Sequence, residues 1–185
     1  MKIMRFDSIK VIDKTGAEIE FRSAQESDAE DLLKYLKATN TESPYLICEP
    51  DEITMTPDEE RAFIVRKTEA ERELLLLAFD NGRHIGNCSL MSVGSSVRYR
   101  HRCMIAIALY REYCGRGIGR LMLGTVLDEA KKLGYTQAEL EVVTVNEGAV
   151  ALYESVGFVK CGTLPDSMRY RDGSTVDSYW MVKKF

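Results

Sequence analysis

Between Tyr110 and Gly124 the sequence reads YREYCGRGIGRLMLG, with Gly115, Gly117 and Gly119 alternating around Arg116 and Ile118. Glycine costs roughly 0.5–1 kcal/mol in a helix relative to alanine. Three of them at the start of an apolar run of helical period therefore ask for a function. A strand that stops, a glycine-rich turn and a helix N-terminus together make an anion site. N–H groups without carbonyl partners point outward, the helix dipole favours negative charge, and a phosphate can approach a backbone that lacks Cβ atoms. Arg116 and Arg120 can add charge-assisted bonds. The spacing is not that of the Walker A loop, which needs a lysine followed by Ser or Thr. Nor is it the dinucleotide fingerprint, which needs glycine where Arg120 stands. Taken alone, the stretch also fits a turn that only permits tight packing.

Other reactive residue types are scattered. His84 and His101 are isolated and read as polar residues at loop edges, so no metal site is expected. The five cysteines (Cys48, Cys88, Cys103, Cys114, Cys161) form no C-x-x-C pair. That argues against a disulfide framework or a zinc ribbon and fits a reducing, cytoplasmic environment. Arg98, Arg100, His101 and Arg102 surround Tyr99, but a short basic loop reads as a solvated turn. A net charge of −4 supplies no field for nucleic acid.

The elements that must hold the glycine turn follow from periodicity. IKVIDKTGAEIEFR reads as two alternating strands around Lys14-Thr15-Gly16. SDAEDLLKYLKA reads as a helix capped by Ser27 and Glu30, with Ala29, Leu32, Leu33 and Leu36 on one face. Thr56-Pro57-Asp58-Glu59 opens a second helix. ELLLLAFD and HIGNCSLMSV form a hairpin around Asn81-Gly82, and CMIAIAL is a further strand. The glycine turn then starts a helix stopped by Gly134. QAELEVVTV is a strand, Asn146 caps a short helix stopped by Gly157, and FVKCGTL and TVDSYWMVKK close the chain as a hairpin around Asp172-Gly173. The expected class is α/β with a largely antiparallel sheet and one strand–helix–strand unit. At 185 residues, without repeats or linker-like tracts, the chain 1–185 reads as a single domain. No apolar run reaches the length of a membrane span, and the N-terminal MKIMRFDSIK does not read as a leader.

CGRGIGRLML resembles the acyl-CoA-binding motif (Q/R)-x-x-G-x-(G/A) of the GNAT superfamily of acetyltransferases, with its later glycine positions on Gly117 and Gly119. Downstream, VNEGAVALYESVGF is similar to the family's N-x-x-A-x-x-L-Y-x-x-x-G-F pattern, carried by Asn146, Ala149, Leu152, Tyr153, Gly157 and Phe158. The resemblance is close from about Leu74 to the C-terminus and extends to the N-terminal part in element order only. Cys114 stands where the motif has Gln or Arg, and the family uses that residue through its main chain.

The resemblance implies a GNAT acyltransferase fold, a mixed, mostly antiparallel twisted sheet with a central parallel strand pair and about four flanking helices. It implies acetyl-CoA as acyl donor, lying in a V-shaped opening between Cys103–Leu109 and Ala138–Thr144. Ile107, Ala108 and Leu109 would pair with pantetheine through their backbone. The N–H groups of Gly115, Arg116, Gly117, Ile118, Gly119 and Arg120, beside Cys114, would hold the pyrophosphate. Asn146 and Ala149 would complete the pantetheine site, Asn146 serving also as a plain N-cap. Tyr153 would protonate the departing thiolate: a phenol of pKa about 10 stays protonated at neutral pH, above a thiol's roughly 8.5. Its alternative is a core tyrosine. A primary amine arrives mostly protonated, so a base is expected. Glu139 and Glu141 share one strand face, Glu141 being better placed, though either also fits a solvated face of paired charges. Transfer is direct, in a ternary complex, without a nucleophilic cysteine.

The acceptor would be a small-molecule or peptide amine, held by residues from about Ser27 to Lys67 and from about Leu164 to Asp177. Glu49, Asp51, Glu52, Asp58, Glu59 and Glu60 make the first of these segments acidic, which suits a cation. A homodimer is common in the family; neither nucleic acid nor membrane is an expected partner. The rival reading is a non-catalytic acyl-CoA-binding sensor or interaction module, toward which Cys114 leans.

Overall fold

The computed structural model describes residues 6–185. Residues 1–5, where the stretch read as lacking a leader begins, lie outside the described residues. The strands are β1 (Ile9–Ile12), β2 (Glu18–Ser23), β3 (Leu74–Asp80), β4 (Arg83–Ser92), β5 (Arg102–Leu109), β6 (Gln137–Val143), β7 (Val159–Arg169) and β8 (Thr175–Lys184). The α-helices are α1 (Ala29–Glu42), α2 (Pro57–Glu69), α3 (Ile118–Lys132) and α4 (Glu147–Ser155). All eight strands form one sheet in the order β1-β2-β3-β4-β5-β6-β8-β7. Every pairing is antiparallel except β5 with β6, which is parallel. This is the mixed sheet with a central parallel pair that the resemblance implied.

Both faces of the sheet are covered at β3, which explains why Leu74–Phe79 is apolar throughout instead of alternating. Leu74, Leu76 and Ala78 join a core built with Ile118, Met122, Val126 and Ala130 of α3 and with Val150 and Tyr153 of α4. Leu75, Leu77 and Phe79 point to the other side, against Ala29, Leu32 and Tyr35 of α1 and Ile64 of α2. Asn81 and Gly82 adopt φ of 48° and 81°, the pair of left-handed residues a two-residue hairpin needs. Thr56 caps α2 as its sequence predicts: Glu59 Oε2 accepts from Thr56 N at 2.8 Å and Thr56 Oγ1 accepts from Glu59 N at 3.3 Å.

Two local expectations need correction. The entrance to α1 is fixed by Asp28, not by Ser27 and Glu30. Asp28 Oδ2 accepts from Gln25 N at 2.7 Å, and its carboxylate takes both terminal nitrogens of Arg22, so the chain enters through a short 3₁₀ turn at Glu26–Asp28. His84 is no loop-edge residue. It is buried between Tyr35 and Phe79, with Nε2 on the Gly86 carbonyl at 3.0 Å, and burial holds its pKa below the usual value.

The feature that positions the site is the divergence of β5 from β6. Their parallel register contains only Arg102–Gln137, Cys103–Ala138 and Met104–Glu139. Beyond these, β5 stays with β4 as far as Leu109, opposite Gly86, while β6 stays with β8 as far as Val143, opposite Ser178. Each strand follows its outer neighbour, so a V opens between them. An ion pair closes the vertex: Arg102 Nη2 lies 2.6 Å from Glu139 Oε2, with Arg102 Nε on the other oxygen, and the Glu139 side chain has no exposed surface.

Candidate active site

A cleft of about 790 Å³ occupies the opening of the V. Its walls are Ile107, Ala108 and Leu109 of β5; Cys114, Gly115, Gly117, Gly119 and Arg120 of the glycine turn; and Asn146, Ala149, Leu152 and Tyr153 at and within α4. Thr39 and Glu42 of α1, the loop Ser43–Leu46, Arg111, and Lys14 of the β1–β2 turn complete it. Eleven of the thirteen residues expected to hold a cofactor thus meet in one cavity, Arg116 and Ile118 being the exceptions.

The glycine turn has the backbone geometry that an anion cradle needs. Gly115 and Gly117 take φ of 79° and 84°, a region where a side chain is strained. A Cβ at Gly115 would meet nothing within 4 Å. The backbone N–H groups from Gly115 to Arg120 have no acceptor among the described residues. These unpaired donors at a helix N-terminus fit a pyrophosphate. Ile118 contributes only its main chain, since its side chain is fully buried in the core.

Arg116 does not extend the cradle with its side chain. Its Nε donates to Asp13 Oδ2 at 2.6 Å, Nη2 lies 3.4 Å from Asp80 Oδ2, and the guanidinium covers the Tyr113 ring. Asp13 is embedded in donors. Burial pushes its carboxyl up, but bonds from the Thr15 hydroxyl, Arg116, and the Thr15 and Ala17 N–H groups outweigh burial and hold it at about 2. The Arg116 carbonyl also accepts from Lys14 N at 2.9 Å. The β1–β2 turn is therefore strapped to the glycine turn by both side chain and main chain.

Tyr153 presents its ring to Phe158 edge-on at 6.0 Å, is 7% exposed, and lines the cleft. Its hydroxyl bonds to no group among the described residues. Burial, with a smaller contribution from Cys88, raises its pKa above the ordinary phenol value. Asn146 Oδ1 accepts from Ala149 N at 3.2 Å, filling the N-cap role while the residue borders the cleft.

The carboxylates expected on β6 are not in the cleft. Glu141 is exposed, opposite Trp180 of β8. Glu139 is consumed by Arg102, whose hydrogen bonds hold its pKa below the usual carboxylate value. Among the described residues the carboxylate lining the cleft is Glu42, whose Oε2 accepts from Arg111 N at 2.8 Å. Sequence reading missed it because it sits on the last turn of α1, outside any motif. Tyr35 was missed as well. Its hydroxyl donates to the Ala108 carbonyl at 2.8 Å, across 73 residues of chain, steadying the strand end that borders the cleft. Gly86 has a similar role. A Cβ there would stand 2.7 Å from Ala108 O and press on Leu109.

The acidic acceptor segment also proves largely engaged. Asp51 pairs with Arg171, Glu52 and Glu59 cap helical turns, Asp58 pairs with Arg61, and Glu60 is buried. The two segments expected to frame the acceptor do meet: besides Arg171 with Asp51, Tyr170 Oη donates to the Pro44 carbonyl at 3.1 Å. Among the described residues no helix is long and apolar enough to cross a membrane, and no group of three or more His, Cys, Asp or Glu could hold a metal ion.

The family model for the acetyltransferase (GNAT) family matches residues 30–158. The chain is 35% identical over 104 residues to N-alpha-acetyltransferase RimI of Mycobacterium tuberculosis, a match covering 56% of this chain and 61% of that protein. The chain spans between 26% and 61% of the length of the first curated relatives it matches. Its structure is similar to that of a GNAT-family acetyltransferase from Streptococcus pneumoniae, with a TM-score of 0.86 and 28% identity over 90% of this chain and 99% of the other. It also shares its fold with a GNAT superfamily phosphinothricin acetyltransferase from Sinorhizobium meliloti in complex with AcCoA, with a TM-score of 0.78 and 19% identity, covering 89% of this chain and 87% of that one.

Proposed function

The chain belongs to the GNAT acetyltransferase family, and on that premise we propose that residues 1–185 act as one cytoplasmic N-acetyltransferase domain, transferring an acetyl group from acetyl-CoA to a primary amine. The observation that carries this reading is the cavity itself: unpaired N–H donors of a glycine turn, the free end of a parted strand and an unpartnered phenol border one cleft. The unpaired cysteines support a reducing compartment.

Bound acetyl-CoA supplies the acyl group as an activated thioester. The backbone from Gly115 to Arg120, beside Cys114, holds the pyrophosphate, while Ile107, Ala108 and Leu109, with Asn146 and Ala149, hold the pantetheine. A backbone N–H near Leu109 meets the charge that develops on the thioester oxygen. Because Glu141 stands outside the cleft, the carboxylate that receives the acceptor's ammonium in this reading is Glu42. Glu42, directly or through water, takes a proton from that ammonium and frees the nitrogen lone pair. The nitrogen then forms the C–N bond as the C–S bond breaks, Tyr153 gives its phenolic proton to the sulfur, and the second proton shed by the acylated nitrogen restores the phenol, so that amide and free thiol are the products.

Titration calorimetry with acetyl-CoA, against NADH and ATP, tests the reading. Selective binding of acetyl-CoA is the expected result, followed by thiol release with at least one member of a panel of amines and N-terminal peptides. Indifference to all three nucleotides in a folded sample overturns it. Binding without turnover of any amine supports the sensor reading, which Cys114, in place of the motif's Gln or Arg, favours.

A further inference from the structure

The glycine turn offers backbone donors to a phosphate, and of the two side-chain cations its sequence suggests, Arg120 borders the cleft while Arg116 is committed elsewhere. Both carboxylates of its surroundings, Asp13 and Asp80, are taken up with it. Another cation is delivered to the same place from the opposite end of the chain. Lys14 follows Asp13 in the β1–β2 turn, and its N–H is bonded to the Arg116 carbonyl at 2.9 Å. Its stem crosses the point where a Cβ of Gly117 would stand, with Cγ, Cε and Cδ between 3.0 and 3.3 Å from that point. The side chain lines the cleft together with Gly115 and Gly117.

The other lysine of the hairpin behaves differently. Lys10 pairs with Glu18 across the strands at 2.6 Å, as an exposed strand lysine ordinarily does. Lys14 has no carboxylate partner among the described residues. Its stem rests on Gly117, whose φ of 84° favours glycine, and its backbone is held by the Arg116 carbonyl.

We propose that Lys14 is a side-chain phosphate ligand of the cleft, and that the Asp13–Arg116 pair is the positioning device that brings it there. The proposal rests on the reading of the cleft as an acetyl-CoA site and extends it to a residue outside the family's motifs. The ammonium adds a charge-assisted bond to a phosphate oxygen beside the neutral N–H donors of the turn, in the cleft that Arg120 also lines. Arg116 then acts through Asp13 and Lys14 and not on the ligand.

The test is the affinity for acetyl-CoA and for acetyl-dephospho-CoA, which lacks the 3′-phosphate, measured by calorimetry on the wild-type chain, Lys14→Gln and Lys10→Gln. Lys14→Gln should weaken acetyl-CoA binding about tenfold, the size of one partly solvated charge-assisted bond. Lys10→Gln should stay within about twofold of wild type, and all three proteins should melt together. A loss that persists with acetyl-dephospho-CoA assigns the contact to the pyrophosphate; a loss confined to acetyl-CoA assigns it to the 3′-phosphate. Either supports the proposal. Equal losses in the two lysine variants would mean a diffuse field and overturn it, as would a Lys14→Gln chain that binds like wild type. A wild-type chain that does not bind acetyl-CoA overturns the reading of the cleft itself.

Discussion

Tyr153→Phe separates the enzyme from the sensor because the structure isolates the hydroxyl from everything else the residue does. The ring packs against Phe158 and belongs to the core beneath α4, and phenylalanine keeps both contacts. The hydroxyl has no hydrogen-bond partner among the described residues, so its removal costs the folded state no internal bond. A change within about 1 kcal/mol is expected, which for a chain of this length moves Tm by roughly 2–4 °C. Proton donation to the leaving sulfur is the one role that disappears. General acid catalysis is worth about 10²–10⁴ in rate, or roughly 3–5 kcal/mol at 1.36 kcal/mol per decade. The assay is thiol release under saturating acetyl-CoA, with calorimetry for the donor. The expectation is a fall in kcat of at least a hundredfold with donor affinity within about twofold of wild type. Burial raises the Tyr153 pKa, so the wild-type phenol keeps its proton past the ordinary value of about 10 and kcat should not decline below that pH. Full turnover in the phenylalanine variant would refute the acid role. A joint fall of kcat, affinity and Tm would show instead that the substitution moved the helix.

Three further outcomes follow from the packing. Arg102→Ala leaves Glu139 buried without its partner and should cost about 3–5 kcal/mol in urea unfolding at pH 7. Arg102 depresses the Glu139 pKa, so in wild type the pair stabilises above the unfolded value of about 4.5 and loses that contribution as pH falls below it. The variant has no such contribution to lose, so the gap between the two proteins should narrow on acidification; a constant gap would contradict the assignment. Gly86→Ala forces a Cβ onto Ala108 O and Leu109 and should cost about 1–3 kcal/mol, with weaker acetyl-CoA binding because the strand end bordering the cleft must shift. In alkylation at pH 8 followed by mass spectrometry, exposed Cys161 and Cys114 should react while buried Cys88 and Cys103 wait for denaturant. Burial pushes the Cys103 thiol up to about 12 and also raises Cys114. Acetyl-CoA should protect Cys114, which lines the cleft, and leave Cys161 untouched.

The sequence discloses what depends on neighbours within a few residues. Asn81-Gly82 implies a tight hairpin because both positions tolerate positive φ, and Thr56-Pro57-Asp58-Glu59 implies a helix start because each residue answers a local backbone need. Gly115 and Gly117 are legible for the same reason: their positive φ is a property of the turn itself. The parallel pairing of β5 with β6 has no such local sign and came from the resemblance. His84 and Ser27 were misread where tertiary packing and an acid one residue further along outweighed the local pattern.

The site charges show why side-chain roles are harder to see than backbone roles. Arg116 lies inside the motif, yet its partner Asp13 is 103 residues away, and no periodicity connects the two. Strand alternation correctly put Glu139 and Glu141 on one face, but it could not tell how far along β6 the cleft extends. The six acids counted toward a cationic acceptor are another case. Asp51 lies 2.5 Å from Arg171, Glu52 lies 2.7 Å from the Glu49 N–H, and Glu60 is buried. Counting residues overestimates the charge available to a ligand, because a folded chain satisfies its own acids and bases first. What remains for the ligand are the groups that the fold leaves unpaired at the cavity wall. Among the described residues these include the N–H groups of the glycine turn, the Tyr153 hydroxyl, the Lys14 and Arg120 cations, and a Glu42 carboxylate that gives one oxygen to the Arg111 N–H.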